Sequence, residues 1–511
     1  MENITKQSTS TPTTPKRINW FSDFKIEGQS KMSVGLPYLI MLMPVISFIL
    51  IYAIYLFTGK FCPVFHLNIL PVLLTVFSIF AFFICTDIPQ WFMNKNTPAF
   101  NQTVKNSLKN KPETLILCFM FAWILITGLF TPNFPNNYSF FHYENEVSHL
   151  QECIIYFFIY LVIFLSSVNL KNEKTRRNLL FVFISVTSLI CILTLIFPHG
   201  ELLISAENNT NWANAFVNSN HLGYVLCLAT STLAITFSLA KNYIWRIITG
   251  VLLALHLFVS MFNDTLGSLL ALTFTFIIIP IVICIKEKRF NVFSFIPLVM
   301  LIAISFICVP LASPMDSTYK SLFVQIYGVF KDFFQVSSAP LAEETKKAGT
   351  NRWELWLDAF KAIKENPLVG DGDVITKPHN EYLQFAAHSG IISALAYIAC
   401  FVIIAVKAIK YFKHLSNITF VGLITTMCYA ISAFFGNTMP HTYPFFMVIL
   451  GITISSLNSD ISSYKSLNRN TTGIEKSFEF KENQEDTTPL DTAETAEITN
   501  VNLLPKTDSN N

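Results

Sequence analysis

Charge is what this sequence is short of. Only 13% of its 511 residues are Asp, Glu, Lys or Arg, about half the share that a soluble domain uses to face water. A water-facing shell cannot be built from that supply, which excludes a soluble globular protein. Cysteine patterning is missing as well. The ten cysteines (62, 85, 118, 153, 191, 227, 284, 308, 400 and 428) include no C-x-x-C pair and no His/Cys ligand spacing, so neither a zinc site nor a disulfide framework is indicated. Most fall inside apolar runs and read as small buried hydrophobes. A cleavable signal peptide is also absent. Residues 1 to 31 are polar, with the run Ser10-Thr11-Pro12-Thr13-Thr14-Pro15, and the long apolar stretch that follows has no small-residue cleavage site behind it. A cytoplasmic arm leading into a signal anchor is expected.

Hydrophobicity is what the sequence has in excess: 52% of the chain, with 49 Phe. Lipid must cover much of such a surface. A bilayer core of about 30 Å needs roughly 20 apolar residues in a helix. Runs of that kind stand near 36–58, 69–86, 114–131, 150–168, 178–197, 221–240, 243–262, 266–285, 292–312, 389–409, 418–436 and 441–457. The spacing predicts an all-α polytopic membrane protein of about twelve transmembrane helices, with a tight hairpin between 243–262 and 266–285. Among the short connections, sixteen Lys and Arg fall on the side of the N-terminus and one, Lys60, on the other. Both termini are therefore expected in the cytoplasm, the chain crossing its membrane many times. The predicted organisation is a disordered cytoplasmic arm (1–33), spans one to nine (34–312), a large partly helical extracytoplasmic loop (313–388), spans ten to twelve (389–457) and a tail (458–511). The tail is rich in Ser, Thr, Asn and Glu and lacks an apolar period, so it is expected to be disordered.

Only 313–388 is long and polar enough to build structure outside the bilayer, where function tends to reside. Ser317–Val336 is aromatic-rich and amphipathic, suited to lying along the membrane interface. Ser337–Gly349 reads as a linker. A helix follows, with Asn351 as its cap, Glu354 in the position of a capping box, and Trp353, Trp356, Leu357, Phe360 and Ile363 as its apolar stripe. Asn366-Pro367 ends it. Arg352 would then sit at the first helical position, where the helix dipole disfavours a cation. An anion sharing the site would explain it, since backbone N–H groups and a guanidinium fork together hold a phosphate well. A surface Arg reaching for lipid headgroups is the plainer alternative. Beyond the Gly370-Asp371-Gly372-Asp373 turn, His379 is the natural general base, with Lys377 able to lower its pKa and to hold a second phosphate oxygen. Asn380 and Glu381 could orient the ring or an acceptor. A simple N-terminal turn residue is the competing reading of His379, and His388 is a weaker rival. Asp371-Gly372-Asp373 matches an Asp-x-Asp pattern, but its glycines read as a turn, and no metal or cofactor is expected.

Taken together, these residues resemble the O-antigen ligase and O-antigen polymerase family of bacterial membrane glycosyltransferases. His379-Asn380, nine residues, Gly390, two residues and Ser393 are similar to that family's outer-loop signature, with Ser in place of the usual last residue. Asn351-Arg352-Trp353-Glu354-Leu355-Trp356 and Asn366-Pro367-Leu368-Val369-Gly370-Asp371-Gly372 resemble its Arg-x-x-x-Trp helix and Gly-x-Gly turn. Asn218-Ser219-Asn220-His221-Leu222-Gly223, at the outer end of the sixth span, is similar to its Asn-x-Asn element. Asn263-Asp264-Thr265-Leu266-Gly267-Ser268 lacks the second Arg that many ligases carry after the seventh span. Pro378-His379-Asn380-Glu381-Tyr382-Leu383-Gln384 looks like members from Gram-positive bacteria.

The resemblance implies a glycan carried on polyprenyl pyrophosphate as donor and a glycan or lipid hydroxyl as acceptor, with no nucleic acid involved. It implies metal-independent, inverting transfer on the outer face of the membrane. His379 and Arg352 would be catalytic, and Lys377, Asn380, Glu381, Asn220 and His221 would bind substrate. A ligase and a polysaccharide polymerase share these motifs and stay open. A polysaccharide transporter or flippase is the rival from another class. It would show two related halves and ionisable groups at mid-membrane, whereas this chain is lopsided and offers mainly His256 and Asp264.

Overall fold

A computed structural model describes residues 25–26, 29–58, 111–130, 155–196, 219–312, 321–338, 348–372, 377–438 and 442–485. The expected span at 69–86, Asn218 and Asp373 lie outside these. Two compact units divide the chain, Met1–Ile461 and Ser462–Asn511.

The described chain is helical apart from one antiparallel pairing of two-residue strands, β1 (Lys25–Ile26) with β2 (Gln29–Ser30). Ahead of the long polar insertion come α1 (Lys31–Thr58), α2 (Pro112–Thr127), α3 (Ile155–Val168), α4 (Glu173–Ile196), α5 (Ser219–Leu239), α6 (Tyr243–Asn263), α7 (Leu266–Glu287) and α8 (Ile296–Ala312). The insertion carries α9 (Leu322–Ser338), α10 (Ala348–Glu365) and α11 (Glu381–Ser389). The chain then returns through α12 (Ile391–Lys410), α13 (Asn417–Ser432) and α14 (Tyr443–Glu485).

Eight helices among the described residues are long and apolar enough to cross a membrane, and three shorter apolar ones lie at Val34–Ile46, Pro112–Thr127 and Tyr156–Val168. They fall on every expected span except 69–86. α5 is almost wholly buried and packs against α6, α7 and α13, while α8 and α12 present most of their surface outward. Ile, Phe and Val side chains cover those outer faces, as lipid contact requires.

Two boundaries differ from the sequence reading and a third agrees with it. α10 begins at Ala348, so Asn351 is inside the helix instead of capping it, and Arg352 lies more than a turn from the helix start. Ala is the best helix former, and Gly349 and Thr350 together cost only about 1–2 kcal/mol against it; the turn residues did not stop the helix. The tenth span starts at Ile391, next to the expected 389, which leaves room for another element after His379. A separate helix, α11, intervenes, and Gly390 at φ +81° breaks the chain before α12. The last helix runs to Glu485, past the hydrophobic limit at 457, because a helical backbone does not need apolar side chains to continue.

Two buried ionisable groups inside the bundle are satisfied internally. His256, one of the two ionisable residues flagged within the spans, bridges the Leu252 carbonyl at 2.8 Å and Thr187 Oγ1 at 3.1 Å. Glu113 is fully buried at the foot of α2; Lys407 Nζ reaches its Oε2 at 2.6 Å and Asn458 Nδ2 donates to its Oε1 at 2.7 Å. Removing the cation leaves a buried carboxylate without its counter-charge, a cost of about 3–5 kcal/mol. Lys407→Ala is therefore expected to lower the thermal midpoint of the detergent-solubilised protein sharply. Lys410→Ala, at an exposed site three residues on, is expected to leave it nearly unchanged.

Candidate functional site

The insertion folds back on itself through its glycines. The Pro367–Gly372 turn docks against the end of α11: Ile391 N donates to the Pro367 carbonyl at 2.8 Å and Asp371 N to the Ala387 carbonyl at 2.9 Å. A Cβ on Gly390 would stand 1.9 Å from the Leu368 oxygen, and one on Gly370 would stand 2.4 Å from the backbone of His388. Both glycines also hold positive φ, so only glycine fits there. Ser393, which departs from the family pattern, donates its hydroxyl to the carbonyls of Phe385 and Gly390 at 2.7 Å each and thereby ties α12 to the end of α11. Trp123 Nε1 of α2 reaches the Ser389 carbonyl at 3.0 Å and holds the junction to the bundle.

α10 and α11 meet through Ala359, Ala362 and Ala387, whose small side chains let the helices approach. Above that contact, Trp356 Nε1 donates to the Pro378 carbonyl at 2.8 Å. Arg352 lies one turn before Trp356 on the same face of α10. The hydrogen bond thus couples the helix of Arg352 to the loop that holds His379. His379 itself has φ +48°, an unusual conformation for a residue with a side chain and one that surrounding structure must enforce. Asn380 enforces it from one side: it is buried and caps α11, its Oδ1 accepting from Leu383 N at 3.1 Å.

The electrostatics are those of a cationic pocket. Burial, then the charges of Arg352 and Lys377, push the His379 imidazole down to about 4, so the ring is neutral at physiological pH. Burial lowers Lys377 to about 8. Arg352 is also close enough to Tyr224 of α5 for its charge to act there, and so is Glu381. Tyr224 stands one helical turn below Asn220 and His221. The latter is buried, and a Cβ on Gly223 would meet the Thr265 side chain at 2.6 Å, so this turn packs tightly onto the α6–α7 hairpin. Asp264, the other flagged ionisable residue, sits in that hairpin and accepts from Gln325 of α9.

Glu381 points the other way, into the bundle. It is 1% exposed, accepts from Tyr397 at 2.7 Å and from Tyr429 at 3.0 Å, and is raised to about 7 by burial, against the hydroxyls of Tyr397, Tyr429 and Tyr443. Gln384, one turn on, accepts from Thr438 N at 2.9 Å. Next to Thr438, Asn437 is buried with neither amide atom hydrogen-bonded among the described residues. None of the tyrosines, nor Asn437, stood out in the sequence, because each lies in or beside an apolar run far along the chain. Among the described residues no group of three His, Cys, Asp or Glu could hold a metal ion.

Fold and site together define a multi-pass membrane protein with a structured segment at one end of its bundle. Residues 251–398 match the family model of the O-antigen ligase, a stretch running from within α6 through α9, α10 and His379 into α12. That stretch is similar to the O-antigen ligase family and contains the His379 and Arg352 motifs on which the resemblance rests. The match supports a general ligase- or polymerase-like membrane function. No curated protein matches the chain.

The two titrating groups of this segment act in opposite directions. Folding favours protonated Glu381, a contribution complete below about pH 4.5 and lost as pH rises toward about 7. Folding favours neutral His379, a contribution complete above about pH 6.5 and lost as pH falls toward about 4. In the wild type the slopes offset each other. His379→Gln is expected to make the thermal midpoint rise as pH falls from 7 to 4.5, and Glu381→Gln to make it fall over the acid range. Thermal unfolding across a pH series measures both.

Proposed function

We propose that this chain transfers a glycan from polyprenyl pyrophosphate to an acceptor hydroxyl at the outer face of a bacterial plasma membrane, with both termini in the cytoplasm. The observation that carries the reading is the Trp356–Pro378 hydrogen bond, with the charge of Arg352 acting on His379. The sequence segment 313–388 would be the catalytic loop. The lopsided distribution of Lys and Arg supports the orientation. α9 supports the placement at headgroup level: Phe323, Tyr327, Phe330 and Phe334 form an exposed aromatic stripe along it, and Phe323 meets Phe306 of α8 at 5.4 Å.

In this mechanism Arg352 and Lys377 bind the pyrophosphate. Lys377 takes the part of the second cation that the Asn263–Ser268 hairpin lacks. Their charges hold the His379 ring neutral beforehand, and the arriving anion offsets them, so the basicity of the ring rises when donor is present. His379 then accepts the proton of the acceptor hydroxyl as its oxygen attacks the anomeric carbon. A new C–O bond forms, the bond to pyrophosphate breaks with inversion, and the electron pair leaves on the lipid pyrophosphate, which Arg352 stabilises. Asn380 fixes the His379 loop, Glu381 anchors α11, and Asn220 and His221 border the pocket from α5. No metal takes part. Ligation and polymerisation differ here only in the acceptor.

Proteoliposomes supplied with a defined polyprenyl-pyrophosphate glycan test the reading. His379→Ala and Arg352→Ala are each expected to reduce transfer by about 10²–10⁴-fold, and Arg352→Lys to retain part of it. Normal rates from both alanine variants, with the protein inserted and monodisperse, would overturn the assignment.

A further inference from the structure

A second site lies at the other end of the bundle. α12 starts beside the His379 segment and is 20 residues long, so its far end is about 30 Å away. There, where α4 and α6 begin, α5 ends and α13 begins, is a cavity of about 270 Å³. Its walls are apolar, with Leu180, Ile184 and Val421 running toward the middle of the bundle. Its mouth carries two cations from different elements, Arg177 of α4 and Lys241 of the α5–α6 turn. Trp245 stands at the rim, stacked on Phe181 at 5.8 Å, at the level where tryptophan marks a lipid–water boundary.

Three cations close to this mouth are engaged by the protein itself. Arg176 donates to the Leu170 carbonyl at 2.9 Å and to Ser455 at 3.1 Å. Arg246 is held by the Ala240 carbonyl and lies 3.7 Å over the Phe293 ring. Lys286 donates to the Leu415 carbonyl at 3.2 Å and to Asn417 at 3.1 Å. Arg177 and Lys241 have no such partner among the described residues and are exposed. Glu173, one turn before Arg177, exerts its charge on Arg176. Two unengaged cations over an apolar slot between helices complement a phosphate that carries hydrocarbon chains.

We infer that this cavity binds an anionic diacyl phospholipid of the leaflet opposite the His379 segment, its phosphate between Arg177 and Lys241 and an acyl chain along Leu180, Ile184 and Val421. The site is separate from glycan transfer and does not rest on it.

Native mass spectrometry of the full chain in detergent, titrated with phosphatidylglycerol, phosphatidylcholine or soluble glycerol phosphate, tests the inference. Wild type is expected to retain phosphatidylglycerol preferentially, and Arg177→Gln/Lys241→Gln to lose that preference by on the order of tenfold, two basic residues' worth of attraction at a lipid surface. The charge-conserving pair Arg177→Lys/Lys241→Arg is expected to keep it. Equal retention of both lipids by wild type, an undiminished preference in the Gln pair, or glycerol phosphate competing as well as the lipid would overturn it.

Discussion

The arrangement of the His379 segment depends on two glycines that let backbone meet backbone. Gly370 and Gly390 stand where any side chain would collide with the opposing chain, at 2.4 and 1.9 Å. That contact returns the chain after α10 onto the end of α11 and sets α11 at an angle to α12. The Trp356 hydrogen bond then closes the arrangement from above. Without the docking, Arg352 and His379 would be carried by two independently moving pieces. With it, a guanidinium, an ammonium and an imidazole share one partly buried volume at the end of the membrane bundle.

The same junction explains why a carboxylate and a histidine two residues apart behave so differently. Cap geometry at Asn380 turns His379 toward the cations and Glu381 toward the tyrosines of α12, α13 and α14. Low dielectric raises one and lowers the other, so both are biased to neutrality near pH 7. In the proposed reaction only His379 meets substrate, and Glu381 acts through the helix it anchors.

The two ends of the bundle also divide their cations by purpose. On the side away from His379, Arg176, Arg246, Lys286 and Lys407 are tied to carbonyls, a carboxylate or a ring face, which suits a bilayer that offers no water to satisfy them. Arg177 and Lys241 are the exceptions that border a cavity. Near His379 the charges of Arg352 and Lys377 instead act together on one imidazole.

What the sequence determined by itself was the periodicity of the spans, the sidedness of the charges and the candidates Arg352 and His379. Those follow from residue type and local spacing, because a helix in lipid must be apolar over a fixed length and because turn glycines and a lone exposed histidine are visible one at a time. The helix start at Ala348 escaped, since a cap residue is only a weak local preference that neighbouring packing overrides. The short helix before Gly390 escaped because its nine residues carry too few apolar positions to show a period. The clamp on Glu381 joins residues 16 and 48 positions apart, and the cavity beside Arg177 and Lys241 joins helices from four parts of the chain. Only tertiary structure decides such pairings, because tyrosines and cations on separate spans carry no mark of the partner they will meet.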